Sequence, residues 1–133
     1  MKEKYNISTN QRPDGDRPLD ATLVQIDLPQ FIHQIKDEVA WKESDRNAIT
    51  VYKTNGLRMV LVALHQDAEL TRHIAKGIIS IQLISGCILF TTDQQSVELK
   101  DGQILALHER IPHSVRAVKE SVFLLTLTTS LEV

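Results

Sequence analysis

The sequence predicts an all-β barrel or sandwich that follows a single short helix. From Ala48 onward, about eight short apolar segments alternate with turn signals, which is typical of such folds. The pair Asn55-Gly56 joins two of these segments and is a strong hairpin signal, because a type I′ turn needs two positive φ angles. With 133 residues, the chain is long enough to form one domain with a substantial core.

The predicted strands are separated by residues that favour turns. Two of these boundaries lie at Ser85-Gly86 and at residues 119–121, and each is interpreted as a turn between neighbouring strands. The predicted strands cover residues 48–53, 57–64, 78–84, 87–92, 96–99, 103–107, 113–118 and 122–128.

The helix is predicted over Leu28–Asp37. Asp27 is a good N-cap residue, and Gln30 follows three positions later, as in a capping box. Ile26 and Phe31 are spaced to pack across that cap as a hydrophobic staple. The helix has one apolar face that needs a surface to cover, so we expect it to pack on the outside of the barrel.

Residues 1–20 are predicted to form a flexible arm, and residues 21–133 a single barrel domain with its lead-in helix. The arm is polar and contains Pro13, Gly15 and Pro18, with few large apolar side chains. Little buried surface would therefore offset the entropy cost of ordering it. Alternatively, such an arm lies across a neighbouring subunit.

Two predicted strands are apolar on both faces, in the runs 59–64 and 122–125. An antiparallel strand with one face in water is expected to alternate apolar and polar residues instead. The helix can cover part of the second face, and a second copy of the chain is the natural candidate for the rest. A homodimer is therefore predicted.

Composition argues against several classes of partner. The formal net charge is -2 and the Lys and Arg residues are scattered, whereas nucleic-acid binding needs a clustered positive face. No apolar run approaches about 18 residues and no apolar signal region begins the chain, so no membrane partner is expected and a cytoplasmic location follows by default. Cys87 is the only cysteine and lies in an apolar run, where a buried, inert thiol is expected.

Two histidine-centred segments lie in the second half of the chain. The first runs from Asp67 through His73 and Ile79 to Gly86, and the second begins at Gly102 and ends near residue 117. Their spacing resembles that of the two motifs of the cupin superfamily, whose barrel is a double-stranded β-helix or jelly roll. The resemblance covers roughly the last two thirds of the chain and extends to small single-barrel bacterial cupins of unassigned function.

The first cupin motif contains Gly, His, His, Glu and Gly in that order. Its positions correspond here to Asp67, His73, Ala75, Ile79 and Gly86, so one His and the final Gly match. The second His and the Glu are replaced by apolar residues.

The second cupin motif contains Gly, Pro, Gly, His and Asn. Its positions correspond here to Gly102, His108, Arg110, His113 and Ala117. Only the first Gly and the His match. The resemblance therefore predicts the fold from the spacing of the motifs, but it does not predict the function, because most of the functional residues differ.

The resemblance implies a metal centre of three His and one Glu, usually around iron, manganese, nickel or zinc. Here only His73 and His113 remain, and Ile79 and Ile81 place an apolar wall where the carboxylate belongs. We therefore expect a ligand pocket lined by these four residues, with no cofactor and no tightly held metal. If a divalent transition metal binds, His73 and His113 are its candidate ligands.

Three functions fit these residues. The first is a non-enzymatic binding module whose barrel holds an unknown small molecule. The second is a metal-dependent enzyme of the dioxygenase or isomerase type, in which substrate completes a reduced two-His site. The third is a structural dimer with a filled barrel. No catalytic residue is predicted, and the absence of a full ligand set favours a non-enzymatic role.

The other polar candidates have simpler interpretations. His65 is expected at an exposed strand end, and His108 in a solvated loop. Arg58 and Arg110 could each bind a carboxylate or phosphate, although a solvated charge at a strand edge is more common.

Overall fold

The computed structural model describes residues 4–6 and 17–129. They contain nine strands and two short helices, and the chain is mostly β. The elements are β1 Lys4–Asn6, β2 Arg17–Asp20, α1 Leu28–Asp37, α2 Val39–Glu43, β3 Arg46–Thr54, β4 Leu57–Leu64, β5 Glu69–His73, β6 Ile79–Thr92, β7 Ser96–Lys100, β8 Ile104–Leu107 and β9 His113–Thr128. Neither helix, within these ranges, is long and apolar enough to cross a bilayer.

The barrel is built around the two long strands β6 and β9. They pair antiparallel along their whole length, from Ile79 opposite Leu127 to Thr92 opposite His113. The first half of β9 also pairs with β5, and its second half pairs with β4. In the same way β6 pairs first with β8 and then with β7, while β3 extends the sheet beyond β4. The predicted all-β fold class is confirmed.

The two long strands run through the positions that were interpreted as turns. Instead of ending at Ser85-Gly86, β6 continues with register shifts between Leu83 and Ile88, and Gly86 has a φ of +113°. Opposite it, β9 continues through Ser121, which is fully buried. The predicted breaks are therefore wrong, because the turn-forming residues accommodate a bulge at which the strands bend.

The hairpin predicted at Asn55-Gly56 forms, with Thr54 paired to Leu57 on either side of it. Its turn is not type I′, because only Gly56 of the two central residues has a positive φ, of 100°. Asn55 thereby avoids the left-handed conformation, which is unfavourable for a residue with a side chain.

Helix α1 has the bounds that the sequence predicts. The Asp27 carboxylate accepts a hydrogen bond from the backbone N–H of Gln30 at 3.1 Å and so caps the first turn. Ile26 and Phe31 both pack against the core on the outside of the sheet, and their contact with each other as a staple stays a prediction. Helix α2 was not predicted; its five residues are too few to show a helical period.

Apolar residues form two separate cores. The inner core lies inside the barrel and includes Ile81, Ile88, Val115 and Phe123. The outer core lies between the helices and the outer surface of β3, β4 and β9. Its buried members are Ile35, Trp41, Ile49, Val51, Leu61, Ala63, Val122 and Leu124.

The outer core explains why strands that are apolar on both faces need no partner subunit. Along β4, Leu61 and Ala63 contribute to the outer core, whereas Val62 and Leu64 contribute to the inner core. Both faces of these residues are thus covered within one chain, and the expectation that a second copy must cover one face is wrong. Homodimer formation itself stays a prediction without this support.

The predicted arm differs from the structure at its end. Arg17–Asp20 is a strand that pairs with Lys4–Asn6, and the side chains of Leu19 and Asp20 are buried. Residues 17–20 thus gain backbone partners and one buried apolar group, which the prediction of a loose arm omitted. The remaining residues of the predicted arm, 1–3 and 7–16, lie outside the described residues.

Candidate functional site

A cavity of about 200 Å³ lies inside the barrel and is called the barrel pocket below. It is lined by Leu70, His73, Ile74, Ala75, Ile79, Ile81, His113, Val115, Phe123, Leu125 and Leu127. His73 and His113 are the only polar side chains in this lining. All four residues predicted from the sequence, His73, His113, Ile79 and Ile81, therefore line one cavity, although whether they bind a ligand stays a prediction.

The sheet register brings the two imidazoles together. His73 at the end of β5 is the direct partner of His113 at the start of β9. Their ring centroids are 4.3 Å apart and the ring planes meet at 62°. Phe90 stacks on His113 from the neighbouring strand, with centroids 5.3 Å apart. His113 is 4% exposed, whereas His73 is exposed. One ring of the pair therefore lies in the interior of the barrel and the other at its surface.

Backbone carbonyl groups determine the tautomer of both rings. The Nδ1 atom of His73 lies 2.7 Å from the Thr71 carbonyl oxygen, and that of His113 lies 2.8 Å from the Ile111 carbonyl oxygen. A carbonyl oxygen only accepts, so each Nδ1 must carry the proton. In the neutral rings, both Nε2 atoms are then unprotonated acceptors.

Burial keeps His113 neutral. Removal from water lowers its pKa below the ordinary value, and the nearby His73 lowers it further, whereas the hydrogen bond to Ile111 acts in the opposite direction. Near neutral pH, His113 therefore presents a lone pair rather than a positive charge to the pocket.

Stability is expected to fall as the pH drops below about 6.5, the pKa of an unperturbed His in the unfolded chain. The folded pKa of His113 lies lower, so between the two values the unfolded chain binds more protons and the free energy of unfolding decreases as pH falls. Urea unfolding at several pH values between about 7 and 5 measures this slope. His113→Gln is expected to reduce it, whereas the exposed control His108→Gln retains it; an unchanged slope in His113→Gln would contradict the assignment.

The pocket does not fit the metal centre that the resemblance implies. Ala75 and Ile79 occupy the positions of the second His and the Glu, and both line the same cavity as His73 and His113. Nowhere in residues 4–6 and 17–129 do three or more His, Cys, Asp or Glu side chains gather as a metal would require. Two imidazoles without a carboxylate neither complete the coordination nor balance the charge of a divalent cation.

The remaining histidines lie away from the pocket. His65 stacks on Trp41 with centroids 3.4 Å apart, and its Nε2 lies 2.8 Å from the Trp41 carbonyl oxygen. It is thus a packing residue of the outer side rather than an exposed strand end. His108 is solvated, as expected, with its Nδ1 3.8 Å from Glu109.

Cys87 is buried, as the sequence predicts. Its thiol donates to the Glu98 carboxylate at 3.1 Å. Burial, reinforced by Glu98, raises the pKa of the Cys87 thiol, which keeps it in the unreactive protonated form.

Several pocket residues were missed by sequence reasoning. Val115, Phe123, Leu125 and Leu127 line the cavity from β9. The alternation within 123–127 was a usable signal, because positions two apart face the same side of a strand. The break predicted at 119–121 concealed that these residues and Val115 belong to one strand.

Comparison with known proteins identifies the fold. No family model and no curated protein sequence matches the chain. A cupin family protein with a double-stranded β-helix fold from Methanocaldococcus jannaschii is similar, with 13% identity, coverage of 65% of this chain and 84% of that one, and a TM-score of 0.59. The protein thus has the cupin fold, and the resemblance seen in the two motifs is confirmed at that level.

Two further solved structures differ in what is known of them. A conserved protein of unknown function from Streptococcus pyogenes shares 26% identity over 68% of this chain and 80% of that one, with a TM-score of 0.62. A variant of salicylate 1,2-dioxygenase from Pseudoaminobacter salicylatoxidans shares 14% identity over 82% of this chain but only 37% of its own length, with a TM-score of 0.68. Similar folds thus occur in an enzyme and in a protein of unknown function, and the choice between functions rests on the pocket.

Proposed function

We propose that the protein is a non-enzymatic binding module whose barrel pocket holds a small, largely apolar molecule with one hydrogen-bond donor. The observation that carries this proposal is the lining of the pocket, in which nine apolar residues surround two imidazoles. A cavity of about 150 Å³ with an apolar lining is known to bind benzene. The barrel pocket, at about 200 Å³, is therefore large enough for a single ring with a small substituent.

The two imidazoles define the polar end of this ligand. Both commit their Nδ1–H to backbone carbonyls, so their Nε2 atoms can only accept while the rings are neutral. Neither ring can then donate to the other. His73 is exposed and can accept from water, whereas the acceptor of the buried His113 lies beside an apolar cavity and calls for a donor from the bound molecule. An O–H or N–H group on the ligand meets that need, whereas a ligand with acceptors alone does not.

The pocket lining also argues against catalysis by this site. Apart from the two imidazoles, it contains no carboxylate, thiol, hydroxyl or amine that could act as a nucleophile. The metal-dependent alternative lacks ligands at Ala75 and Ile79. A role in binding needs none of these groups.

Phenol and toluene provide a matched test, because they differ in whether a hydroxyl or a methyl group is attached to the ring. We expect both to shift the backbone amide signals of pocket residues in a nitrogen–proton correlation spectrum. Phenol should bind roughly 2- to 10-fold more tightly, which is the range expected for one net hydrogen bond. His113→Ala and His73→Ala should keep the barrel folded and reduce this preference for phenol.

Ala75→Phe is the variant that tests the location, because its larger side chain would fill the cavity from a position outside the strands. Both ligands should lose affinity for it. If neither phenol nor toluene binds the wild-type protein, or if both bind Ala75→Phe unchanged, the proposal is wrong.

Elemental analysis tests the metal-dependent alternative independently. Protein purified without chelators or an affinity tag is expected to contain less than one transition-metal ion per chain. One ion per chain that is lost in both His73→Ala and His113→Ala would overturn the binding proposal and favour the enzyme.

A further inference from the structure

A second cavity, of about 310 Å³, lies between two loops and shares no lining residue with the barrel pocket. One loop follows β6 and the other joins β8 to β9; the cavity is called the loop cavity below. It is lined by Thr92, Asp93, Gln94, Gln95, Leu107, Arg110, Ile111 and Pro112. The lining therefore includes the apolar residues Leu107, Ile111 and Pro112 together with Gln94, Gln95 and Arg110, whose side chains carry amide and guanidinium groups.

Arg110 holds an unfavourable backbone conformation in this cavity wall. Its φ is +60°, a region that suits glycine and is uncommon for a long side chain. Its backbone N–H donates to the Ala75 carbonyl at 2.9 Å, which anchors the loop in this shape. The cupin motif has a glycine at the corresponding position, so the fold would tolerate glycine here. The Arg side chain is thus present despite a conformational cost, and such outliers concentrate at ligand sites.

The charges around the cavity leave Arg110 available. Asp93 is the only carboxylate in the lining, and it already forms a bidentate pair with Arg72, whose Nη2 lies 3.0 Å from its Oδ2. Glu109 is directed to His108, at 3.8 Å. Among the residues that the structure describes, no carboxylate lies within ion-pair distance of Arg110.

We propose that the loop cavity is a second binding site, which takes a small molecule with a carboxylate group and a compact apolar body. Arg110 binds the carboxylate through two parallel hydrogen bonds, a geometry that guanidinium and carboxylate groups share. The side-chain amides of Gln94 and Gln95 supply further donors. The apolar body packs on Leu107, Ile111 and Pro112. The loop cavity shares no lining residue with the barrel pocket, and this proposal does not rest on the function proposed for that pocket.

Benzoate and benzamide are the probes, because they have the same ring and nearly the same shape but only benzoate is charged. In an amide correlation spectrum of the full chain, benzoate should cause saturable shifts of residues 92–95 and 110–111, whereas benzamide should cause much weaker ones. Arg110→Gly should lower the affinity for benzoate roughly 10-fold or more, as loss of a charge-assisted pair predicts. The same variant should fold and should not unfold at a lower temperature, because glycine suits the φ of this position.

Arg58→Gln is the matched control, since it removes an arginine that instead donates to Thr50 on β3, at 3.3 Å. It should leave benzoate binding unchanged. Leu125→Phe separates the two cavities, because Leu125 lines the barrel pocket and pairs with Val60 and Ile81, away from the loop cavity: benzoate shifts at residues 92–95 should persist in it. The proposal is overturned if benzamide binds as well as benzoate, if Arg110→Gly retains the affinity, or if filling the barrel pocket abolishes the shifts.

Discussion

Gly86→Ala is expected to destabilise the barrel by roughly 3 kcal/mol or more, combining backbone strain with a steric clash. Gly86 has a φ of +113°, which side chains rarely allow. An added Cβ would lie 2.5 Å from the Glu120 carbonyl oxygen and closer still to the Ser121 hydroxyl oxygen. Ser121 cannot move easily, because its hydroxyl bonds the backbone N–H of Cys87 at 3.0 Å and it is fully buried.

The location of Gly86 explains why the effect should extend over the whole barrel. It lies at the bulge where β6 changes partners from β8 to β7, opposite the bend in β9. A backbone shift at Gly86 would disturb both β6 and β9, and most of the other strands of the barrel pair with one of these two. Urea unfolding followed by circular dichroism measures the loss in free energy of unfolding.

Gly102→Ala is the matched control for Gly86→Ala. Gly102 also has a positive φ, of +81°, but no heavy atom lies within 4 Å of the position of an added Cβ. It should therefore cost only about 1 kcal/mol, from the backbone alone. Equal losses in the two variants would show that the clash with β9 contributes nothing.

Ile35→Ala is expected to lower the free energy of unfolding by about 2–5 kcal/mol, the range for truncating a buried aliphatic side chain. Ile35 is fully buried in the outer core, where the helices cover β3, β4 and β9. Truncation leaves a cavity beneath α1 and weakens the cover over Leu61 and Val122. Trp41 is the only tryptophan and lies in the same core, so its fluorescence reports loosening there directly.

Val39→Ala on the neighbouring helix is the control, because Val39 is 66% exposed and its truncation should change stability by about 0.5 kcal/mol or less. Light scattering on the wild-type protein used in these measurements tests the predicted homodimer separately. A particle of 15 kDa at low micromolar concentration would count against the homodimer. An Ile35→Ala variant as stable as Val39→Ala would show that the helices are not part of the cooperative fold.

Residues near a known motif could be predicted from the sequence, whereas residues outside it could not. His73, His113, Ile79 and Ile81 could be predicted to line one cavity, because the spacing of a known motif survives although two of its ligands do not. Phe90 was missed, because it is distant from that motif and meets His113 only through the pairing of β6 with β9. The loop cavity gave no motif signal at all, and the unusual φ of Arg110 is visible only in the folded chain.

The sequence by itself determined the features that depend on neighbouring residues. Asp27 and Gln30 define the start of α1 through one local hydrogen bond. The largely apolar segment 57–64, which follows the turn at Asn55-Gly56, defines β4 with its bounds. Contacts of this kind need only a few residues in succession, so local chemistry decides them.

The tertiary structure alone decided the features that depend on pairing between distant strands. A turn and a β-bulge need the same permissive residues, so the sequence around Gly86 is compatible with both, and only the pairing of β6 with β9 selects the bulge. The covered outer face of β4 likewise depends on where α1 and Trp41 pack, not on the strand itself. The approach of His73 to His113 comes from the sheet register between β5 and β9. Their tautomers depend on carbonyl groups only two residues earlier, at Thr71 and Ile111, but the folded backbone decides that these carbonyl groups face the rings.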